Sequence, residues 1–97
     1  MVLYVPNAFT PGNNDGLNDV FQIFLPPTGV DFTTFDLKIY DRWGELIYRT
    51  NDVNKFWTGA RNNSGDILKQ DVYVWKITFM DTKKKYYEKL GHISLLR

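Results

Sequence analysis

Apolar and polar residues alternate along two segments of the chain, and this alternation is the strongest structural signal in the sequence. Within residues 35–41, Phe35, Leu37 and Ile39 alternate with polar residues and Tyr40, as expected for a strand with one buried face. Within residues 72–81, the predicted core face consists of Tyr73, Trp75, Ile77 and Phe79. Ten alternating residues predict a long strand at the centre of a sheet.

Shorter segments with the same spacing predict the remaining strands. They are residues 3–5, Asp19–Leu25, Glu45–Thr50 and residues 85–97. Turn residues separate them, and the sequence DRWGEL predicts a tight hairpin in which Gly44 takes a positive φ. No stretch of ten residues keeps a helical face. The pattern predicts an all-β fold, an antiparallel immunoglobulin-like β-sandwich of about seven strands.

Length and composition limit the chain to one folded domain. The 97 residues are 43% hydrophobic and 16% aromatic, which is enough for a modest core. Because Met1 is followed directly by a strand, we interpret residues 1–97 as a domain excised from a larger protein. No apolar run approaches the roughly 18 residues of a membrane span.

The charge and cysteine content exclude several function classes. Twelve basic and eleven acidic residues give a net charge of +1, which argues against a dedicated nucleic-acid binder. The one basic run, Lys83-Lys84-Lys85, lies between two predicted strands and is interpreted as a solvated hairpin tip. Without cysteine, neither a cysteine zinc site nor a thiol nucleophile exists.

The sequence offers little for catalysis. Its single histidine, His92, lies in a predicted strand, where a structural residue pointing out of the sheet is expected. Asp15 and Asp19 are paired carboxylates, but they share an Asn-rich loop with no indication of a cleft. Catalysis needs a nucleophile, a base and an orienting group that converge, and no motif indicates such a set. We therefore expect no enzyme activity.

The Asn- and Asp-rich stretch from Pro6 to Phe21 suggests either a calcium loop or a rigid turn. An EF-hand alignment places Pro11 and Gln22 at the first and last ligand positions, which excludes that type of site. An irregular calcium site remains open, with candidate ligands Asp15, Asn18 and Asp19. The favoured interpretation is a stiff loop held by Asx-turns without a metal or other cofactor.

The three tryptophans are expected to differ little in role. Trp75 lies on the apolar face of the long strand and is predicted to be core. Trp43 and Trp57 lie beside turns, where aromatic residues commonly cover the end of a sheet, so burial is expected for both. The alternative for Arg42 and Trp43 is a cation–π pair or a docking surface at the hairpin tip.

The order of the motifs resembles a known family. VPNAFTPGNNDGLNDVFQI is followed by FDLKIYDRWGELIYRTND, FWTGARNNSGD, DVYVWKITFMD and a terminal GHISLLR. This order is similar to that of the gliding motility-associated C-terminal domain, the type B sorting domain of the type IX secretion system. The resemblance runs from Pro6 to Arg97.

The resemblance assigns family positions residue by residue. In the recognition loop they are Pro6, Asn7, Phe9, Thr10, Pro11, Asp15, Gly16, Asn18 and Asp19. At the turn surface and beyond they are Arg42, Trp43, Gly44, Trp57, Gly59, Tyr73 and Gly91. The sequence departs from the family pattern at residues 12–14, where one residue is inserted or shifted.

The resemblance implies a C-terminal secretion signal that is recognised when folded. Its partners would be outer-membrane components of the type IX system, a dedicated outer-membrane partner protein and the covalently attached N-terminal passenger. The domain would pass through the periplasm and reach the cell surface or the medium. The recognition surface would combine the Asn/Asp loop with the Arg42-Trp43 turn.

Two other function classes remain open at this point. A carbohydrate-binding or adhesive sandwich would present Trp43, Trp57, Tyr86 and Tyr87 as a coplanar, solvent-facing stacking platform. A purely structural stalk module would tolerate substitution of the loop residues without loss of sorting or binding.

Overall fold

Five β-strands form one mixed sheet in the part of the chain that the structure describes. The computed structural model describes residues 5–6, 8–11, 20–26 and 28–96. The strands are β1 (Ala8–Phe9), β2 (Val30–Tyr40), β3 (Leu46–Thr50), β4 (Asp71–Asp81) and β5 (Tyr86–Leu95). They lie in the order β1-β5-β4-β2-β3. A 3-10 turn at Arg61–Asn63 is the one helical element in these ranges, and none of their helices has the length and apolarity to span a membrane.

Strand β4 occupies the centre of the sheet, as its length and alternation predict. It pairs antiparallel with β5 from Asp71 to Met80 and with β2 from Val74 to Asp81. The four predicted core residues are all buried: Tyr73, Trp75, Ile77 and Phe79. The intervening residues are half-buried or exposed, so the sheet has one buried and one solvated face.

The sheet is mixed, whereas the sequence predicts a purely antiparallel arrangement. Strand β1 runs parallel to β5, with Ala8 opposite Ser94 and Phe9 opposite Leu95. Two parallel strands must be joined by a long connection, and here the chain between β1 and β5 forms that connection. Alternation with a period of two specifies the face that a residue occupies, but it carries no information on the direction of the neighbouring strand.

The number of strands also differs from the prediction in the described residues. The predicted strand Asp19–Leu25 is represented by residues 20–25, which form isolated bridges instead of a strand, among them Phe21 to Trp57. Each N–H of this pair donates to the carbonyl of the other at 2.9 Å. Phe21 and Ile23 are buried, so the alternation predicts burial correctly. One sheet of five strands is observed among these residues, and a second sheet of a sandwich is not confirmed.

A layer of aromatic side chains covers the buried face of the sheet. Phe9, Phe21 and Trp57 are almost completely buried. The Phe9 and Trp57 ring centroids are 5.3 Å apart, and Trp57 meets Tyr73 of β4 edge-on at 5.4 Å. The Trp57 indole N–H donates to the carbonyl of Ala60 at 2.8 Å. These tilted ring contacts join the loops to the sheet and are favourable beyond the area they bury.

Both hairpins of the sheet close with the same turn. In the β2–β3 turn, the Asp41 carboxylate accepts backbone N–H groups from Trp43 and Glu45, each at 2.9 Å. In the β4–β5 turn, the Asp81 carboxylate accepts the N–H groups of Lys83 at 2.9 Å and Lys85 at 2.8 Å. The fourth residue of each turn has a positive φ, and Lys83-Lys84-Lys85 is confirmed as a hairpin tip.

The turn hydrogen bonds make the hairpin sensitive to acid. The backbone N–H of Lys85, with that of Lys83 and the Tyr87 hydroxyl, holds the pKa of Asp81 below its ordinary value of 3.8. A carboxyl group whose pKa is lower in the folded state stabilises the fold above its unfolded pKa, and this contribution disappears as the pH falls through the folded pKa. We expect Asp81→Asn to be less stable than wild type near neutral pH. The difference should shrink as the pH falls below about 4.

Urea unfolding at a series of pH values checks this expectation. Asp66→Asn is the matched control, because Asp66 is exposed and lies in the loop before β4. A difference between Asp81→Asn and wild type that stays constant down to strongly acidic pH would contradict the proposed role of the carboxylate.

Candidate functional site

The predicted recognition loop is only partly within the described residues. Asn7, Asp15, Gly16, Asn18 and Asp19 lie outside them, so the loop geometry and the calcium site remain predictions. Within the described ranges, no group of three or more His, Asp or Glu side chains could hold a metal ion.

The described start of the loop is anchored in the core. Phe9 is buried, whereas Pro6, Thr10 and Pro11 are half-buried. Pro11 packs against Gly59, where an added Cβ would lie 3.1 Å from the proline ring. Gly59 also has a φ of +96°, so a larger residue there would meet both a strained backbone and a close neighbour. The family positions Pro11 and Gly59 are thus explained by direct packing.

The Asp41–Glu45 turn is a rigid structure at the end of β2. In addition to its side-chain bonds, the Asp41 N–H donates to the Glu45 carbonyl at 3.0 Å, and the Gly44 N–H donates to the Asp41 carbonyl at 3.1 Å. Gly44 has a φ of +85° and open space around a Cβ position, so its requirement is the left-handed backbone alone. The predicted hairpin with a positive φ at Gly44 is confirmed.

Trp43 projects from this turn into solvent. Its side chain is 80% exposed, the most exposed of the large hydrophobic residues in the described chain. Burial was expected from its position beside a turn, and that expectation is wrong for Trp43 but correct for Trp57. The difference arises because Trp43 is at the tip of the turn, whereas Trp57 pairs with Phe21 and packs against the rings of Phe9 and Tyr73.

Arg42, next to Trp43 in the turn, forms an ion pair. Its Nη2 lies 2.8 Å from the Asp71 carboxylate at the start of β4, and Lys69 Nζ lies 3.8 Å from the same carboxylate. The Asp71 side chain is only 12% exposed. The cation–π pair considered as an alternative for Arg42 and Trp43 is not among the contacts of the described residues; the guanidinium binds the Asp71 carboxylate instead.

A cavity of about 190 Å³ lies beside the turn. Ile47, Leu68 and Tyr73 supply apolar lining, and Arg42 and Trp43 also line it. Tyr73 is buried, and its hydroxyl donates to the Lys69 carbonyl at 2.8 Å. Burial, with smaller effects of nearby aspartates, raises its pKa, so the phenol stays neutral. The cavity therefore combines apolar lining with charged side chains, next to an exposed indole; the charged lining residues are Asp41, Arg42, Arg61, Lys69 and Asp71.

A larger depression lies toward the other end of β2. It has a volume of about 540 Å³ and is lined by Phe32 and residues 51–54. Its one charged group, Asp52, already accepts the N–H of Asn54 at 2.9 Å. Size alone does not favour this depression, because it lacks the exposed anchor and the rigid turn found at Trp43.

Sequence reasoning missed the acidic residues that organise the site. Asp41 carried a usable signal, because Asp three residues before Gly is typical of an Asx-closed turn. Asp71 had no recognisable sequence signal, because its partner Arg42 is distant in sequence and only strand pairing brings the two residues together.

The remaining candidate residues do not form a site with each other. His92 is exposed opposite Val74 on the solvated face, as expected for a structural histidine. Trp57 is fully buried, and Tyr87 stacks on Phe79 at 5.1 Å. The coplanar platform needed for the carbohydrate-binding alternative is therefore not formed.

Comparison with known proteins places the chain in a family. The fold is similar to that in the crystal structure of CopC from Methylosinus trichosporium OB3b, with a TM-score of 0.51 and 15% sequence identity over 78% of this chain and 72% of that chain. This likeness concerns the fold alone. No curated protein matches the sequence significantly. The sequence-family model of the CHU_C type IX secretion signal domain matches residues 3–95. Because this match spans nearly the whole chain, the protein belongs to the CHU_C family of type IX secretion signal domains.

Proposed function

We propose that residues 1–97 are the C-terminal sorting domain of a larger exported protein and are recognised by the secretion machinery in the folded state. The passenger is attached at the N-terminal side and passes from the periplasm to the cell surface or the medium. Recognition in the folded state is supported by the buried aromatic layer and by the turn hydrogen bonds, which give the domain a defined surface.

Family membership supplies the broader part of this function. As a type IX secretion signal domain, the chain interacts with the secretion machinery and directs export across the outer membrane. The family is not a class of enzymes. The contact surface and the partner are proposed here from the structure.

The exposed indole of Trp43 is the observation that carries the proposed contact surface. An 80% exposed tryptophan on a turn fixed by several hydrogen bonds is already oriented for binding, so little conformational entropy is lost when a partner covers it. Tryptophan is enriched among the residues that dominate binding energy at interfaces. We assign the partner as an outer-membrane component of the system or a dedicated outer-membrane protein.

The described start of the recognition loop supports a combined surface with this turn. Phe9 lies opposite Leu95, Leu95 lies opposite Asp71, and Asp71 binds Arg42. Strand register thus brings the chain at Thr10 to the same end of the sheet as the turn. We propose that the loop residues Asp15, Asn18 and Asp19 complete the surface, with calcium as a possible addition.

Export of a fluorescent passenger fused ahead of residues 1–97 tests the proposal in a gliding bacterium with and without its secretion system. Fluorescence outside the cell is expected only when the system is intact. Trp43→Ala should retain most of the passenger inside the cell. Leu90→Ala is the matched control, because Leu90 is 65% exposed on the solvated face opposite Lys76, away from the Trp43 turn.

Thermal unfolding of the same variants separates recognition from stability. Neither substitution removes a buried contact, so both melting temperatures should stay near that of wild type. Arg42→Ala should reduce export and cost on the order of 1 kcal/mol of folding free energy, because the Asp71 carboxylate, only 12% exposed, keeps Lys69 as a partner at 3.8 Å. Normal export of Trp43→Ala would refute the assigned surface, and export that does not depend on the secretion system would refute the function.

A further inference from the structure

Of the eleven Lys and Arg side chains in the described residues, six form ion pairs, two (Lys55 and Lys89) are single exposed lysines, and three are neighbours in the β4–β5 turn. Six cations form ion pairs within the chain: Lys38, Arg42, Arg49, Arg61, Lys69 and Lys76. The β4–β5 turn is different. Lys83, Lys84 and Lys85, here called the lysine tip, have no carboxylate within ion-pair distance among the described residues. The lysine tip is exposed throughout, so its charge faces solvent.

The nearest carboxylate does not offset this charge by pairing with the lysine amines. Asp81 uses one oxygen for the backbone N–H groups of Lys83 and Lys85, and its other oxygen accepts the Tyr87 hydroxyl at 3.2 Å. Lys85 Nζ lies 5.4 Å from the centroid of the Tyr87 ring, which leaves its charge in place. The turn therefore holds three neighbouring ammonium groups on a fixed backbone.

The backbone of Lys84 is evidence that a charge is favoured at this position. Lys84 has a φ of +69°, and Gly44 occupies the equivalent position of the other turn with a φ of +85°. The left-handed conformation brings the Cβ of a non-glycine residue close to backbone atoms, a steric cost that glycine avoids, and it is uncommon outside Gly, Asn and Asp. A lysine kept where glycine fits better points to a use for its side chain.

The choice of lysine over arginine indicates the kind of partner. All three described arginines are engaged in ion pairs with carboxylates, the role that suits their planar guanidinium. The lysine tip consists only of flexible point charges on a projecting hairpin. Such groups suit a diffuse layer of anionic headgroups, whereas specific protein contacts favour arginine and a central recess.

An aromatic neighbour of the tip fits the same partner. Tyr86 is 59% exposed and follows Lys85 on the solvated face of β5. Tyrosine is enriched where proteins meet the interface of a bilayer. This end of the sheet lies roughly 30 Å from the Trp43 turn, given ten residue steps along β4.

We propose that the lysine tip docks the domain on a bilayer surface that carries anionic lipid headgroups. The contact leaves the Trp43 turn, at the other end of β4, facing away from the membrane and free for a protein partner. It does not depend on the proposed export function, since it follows from the charge and exposure of the tip.

Sedimentation of the 97-residue chain with vesicles tests the proposal. Vesicles containing about one third phosphatidylglycerol in phosphatidylcholine are the probe, and pure phosphatidylcholine vesicles are the reference. Binding is expected only to the anionic vesicles and should be lost in about 0.5 M NaCl, where charges are screened within a few ångströms. Each lysine near an anionic surface strengthens binding about five-fold, so Lys83→Gln/Lys84→Gln/Lys85→Gln should weaken it on the order of 100-fold.

A second triple variant controls for net charge. Lys38→Gln/Lys69→Gln/Lys76→Gln removes the same three charges from ion-paired positions and should change vesicle binding by less than about ten-fold. Equal losses in the two variants would overturn the proposal, as would binding to neutral vesicles or binding that resists salt. Absence of vesicle binding by the wild-type chain, with binding to an acidic protein instead, would also overturn it.

A single substitution provides an independent measurement. Lys84→Gly relieves the left-handed strain and removes one tip charge, so it should raise the melting temperature while weakening vesicle binding about five-fold. Higher stability with unchanged binding would show that the Lys84 charge has no part in docking.

Discussion

Replacing Trp57 by alanine is expected to cost about 3–5 kcal/mol of the free energy of unfolding. The side chain is fully buried, and its ring contacts Phe9 at 5.3 Å and Tyr73 at 5.4 Å. Its loss also leaves the Ala60 carbonyl without the indole donor. Because small domains have total stabilities of about 5–15 kcal/mol, this variant should be close to unfolding at room temperature. Urea unfolding followed by circular dichroism measures the change.

Trp43→Ala is the natural control for this experiment. The two residues have the same side chain, but Trp43 is 80% exposed and Trp57 is not exposed at all. We expect Trp43→Ala to change the unfolding free energy by no more than about 0.5 kcal/mol. Similar losses for both variants would contradict the assignment of Trp57 to the core and Trp43 to the surface.

The second large effect is expected at Gly91. It lies opposite Trp75 in the register of β4 and β5, and a Cβ added there would lie 2.3 Å from the indole ring. Trp75 is 9% exposed, so its ring has little room to move. Gly91→Ala should therefore destabilise the domain by about 1–3 kcal/mol through overpacking. The backbone conformation is not the cause, since Gly91 is not among the described glycines with a positive φ.

A double-mutant cycle isolates the contact between these two residues. Trp75→Leu removes the indole that occupies the space above Gly91, so Gly91→Ala should cost much less in that background. The sum of the single effects should exceed the effect of the double variant by at least about 0.5 kcal/mol. Strict additivity would mean that the close approach of Gly91 and Trp75 is not what requires glycine. His92→Ala, on the solvated face next to Gly91, should have little effect.

Local patterns predicted several parts of the fold correctly. The alternation in residues 72–81 identified the central strand and its buried face, including Tyr73 and Phe79. The DRWGEL turn was predicted with a positive φ at Gly44, which the structure confirms. These features were predictable because side-chain direction and turn chemistry depend only on residues a few positions apart.

The candidate site was predictable only in part, because some of its features depend on residues that are distant in sequence. Arg42, Trp43 and Gly44 were recognised from their motif, but the exposure of Trp43 and the ion pair of Arg42 with Asp71 were not. Burial beside a turn depends on which loop crosses that end of the sheet. The partner of an ion pair depends on strand register. Neither is encoded in the residues next to Trp43.

The sequence by itself determined the all-β class, the buried face of β4, both hairpin turns and the resemblance to the secretion signal family. Only the tertiary structure decided that β1 runs parallel to β5, that Trp57 is buried while Trp43 is exposed, and that the lysine tip lies at the opposite end of β4 from the Trp43 turn. The physical reason is the range of the interactions. Side-chain alternation and turn hydrogen bonds act within a few residues, whereas strand pairing and ring packing join positions that are far apart in sequence.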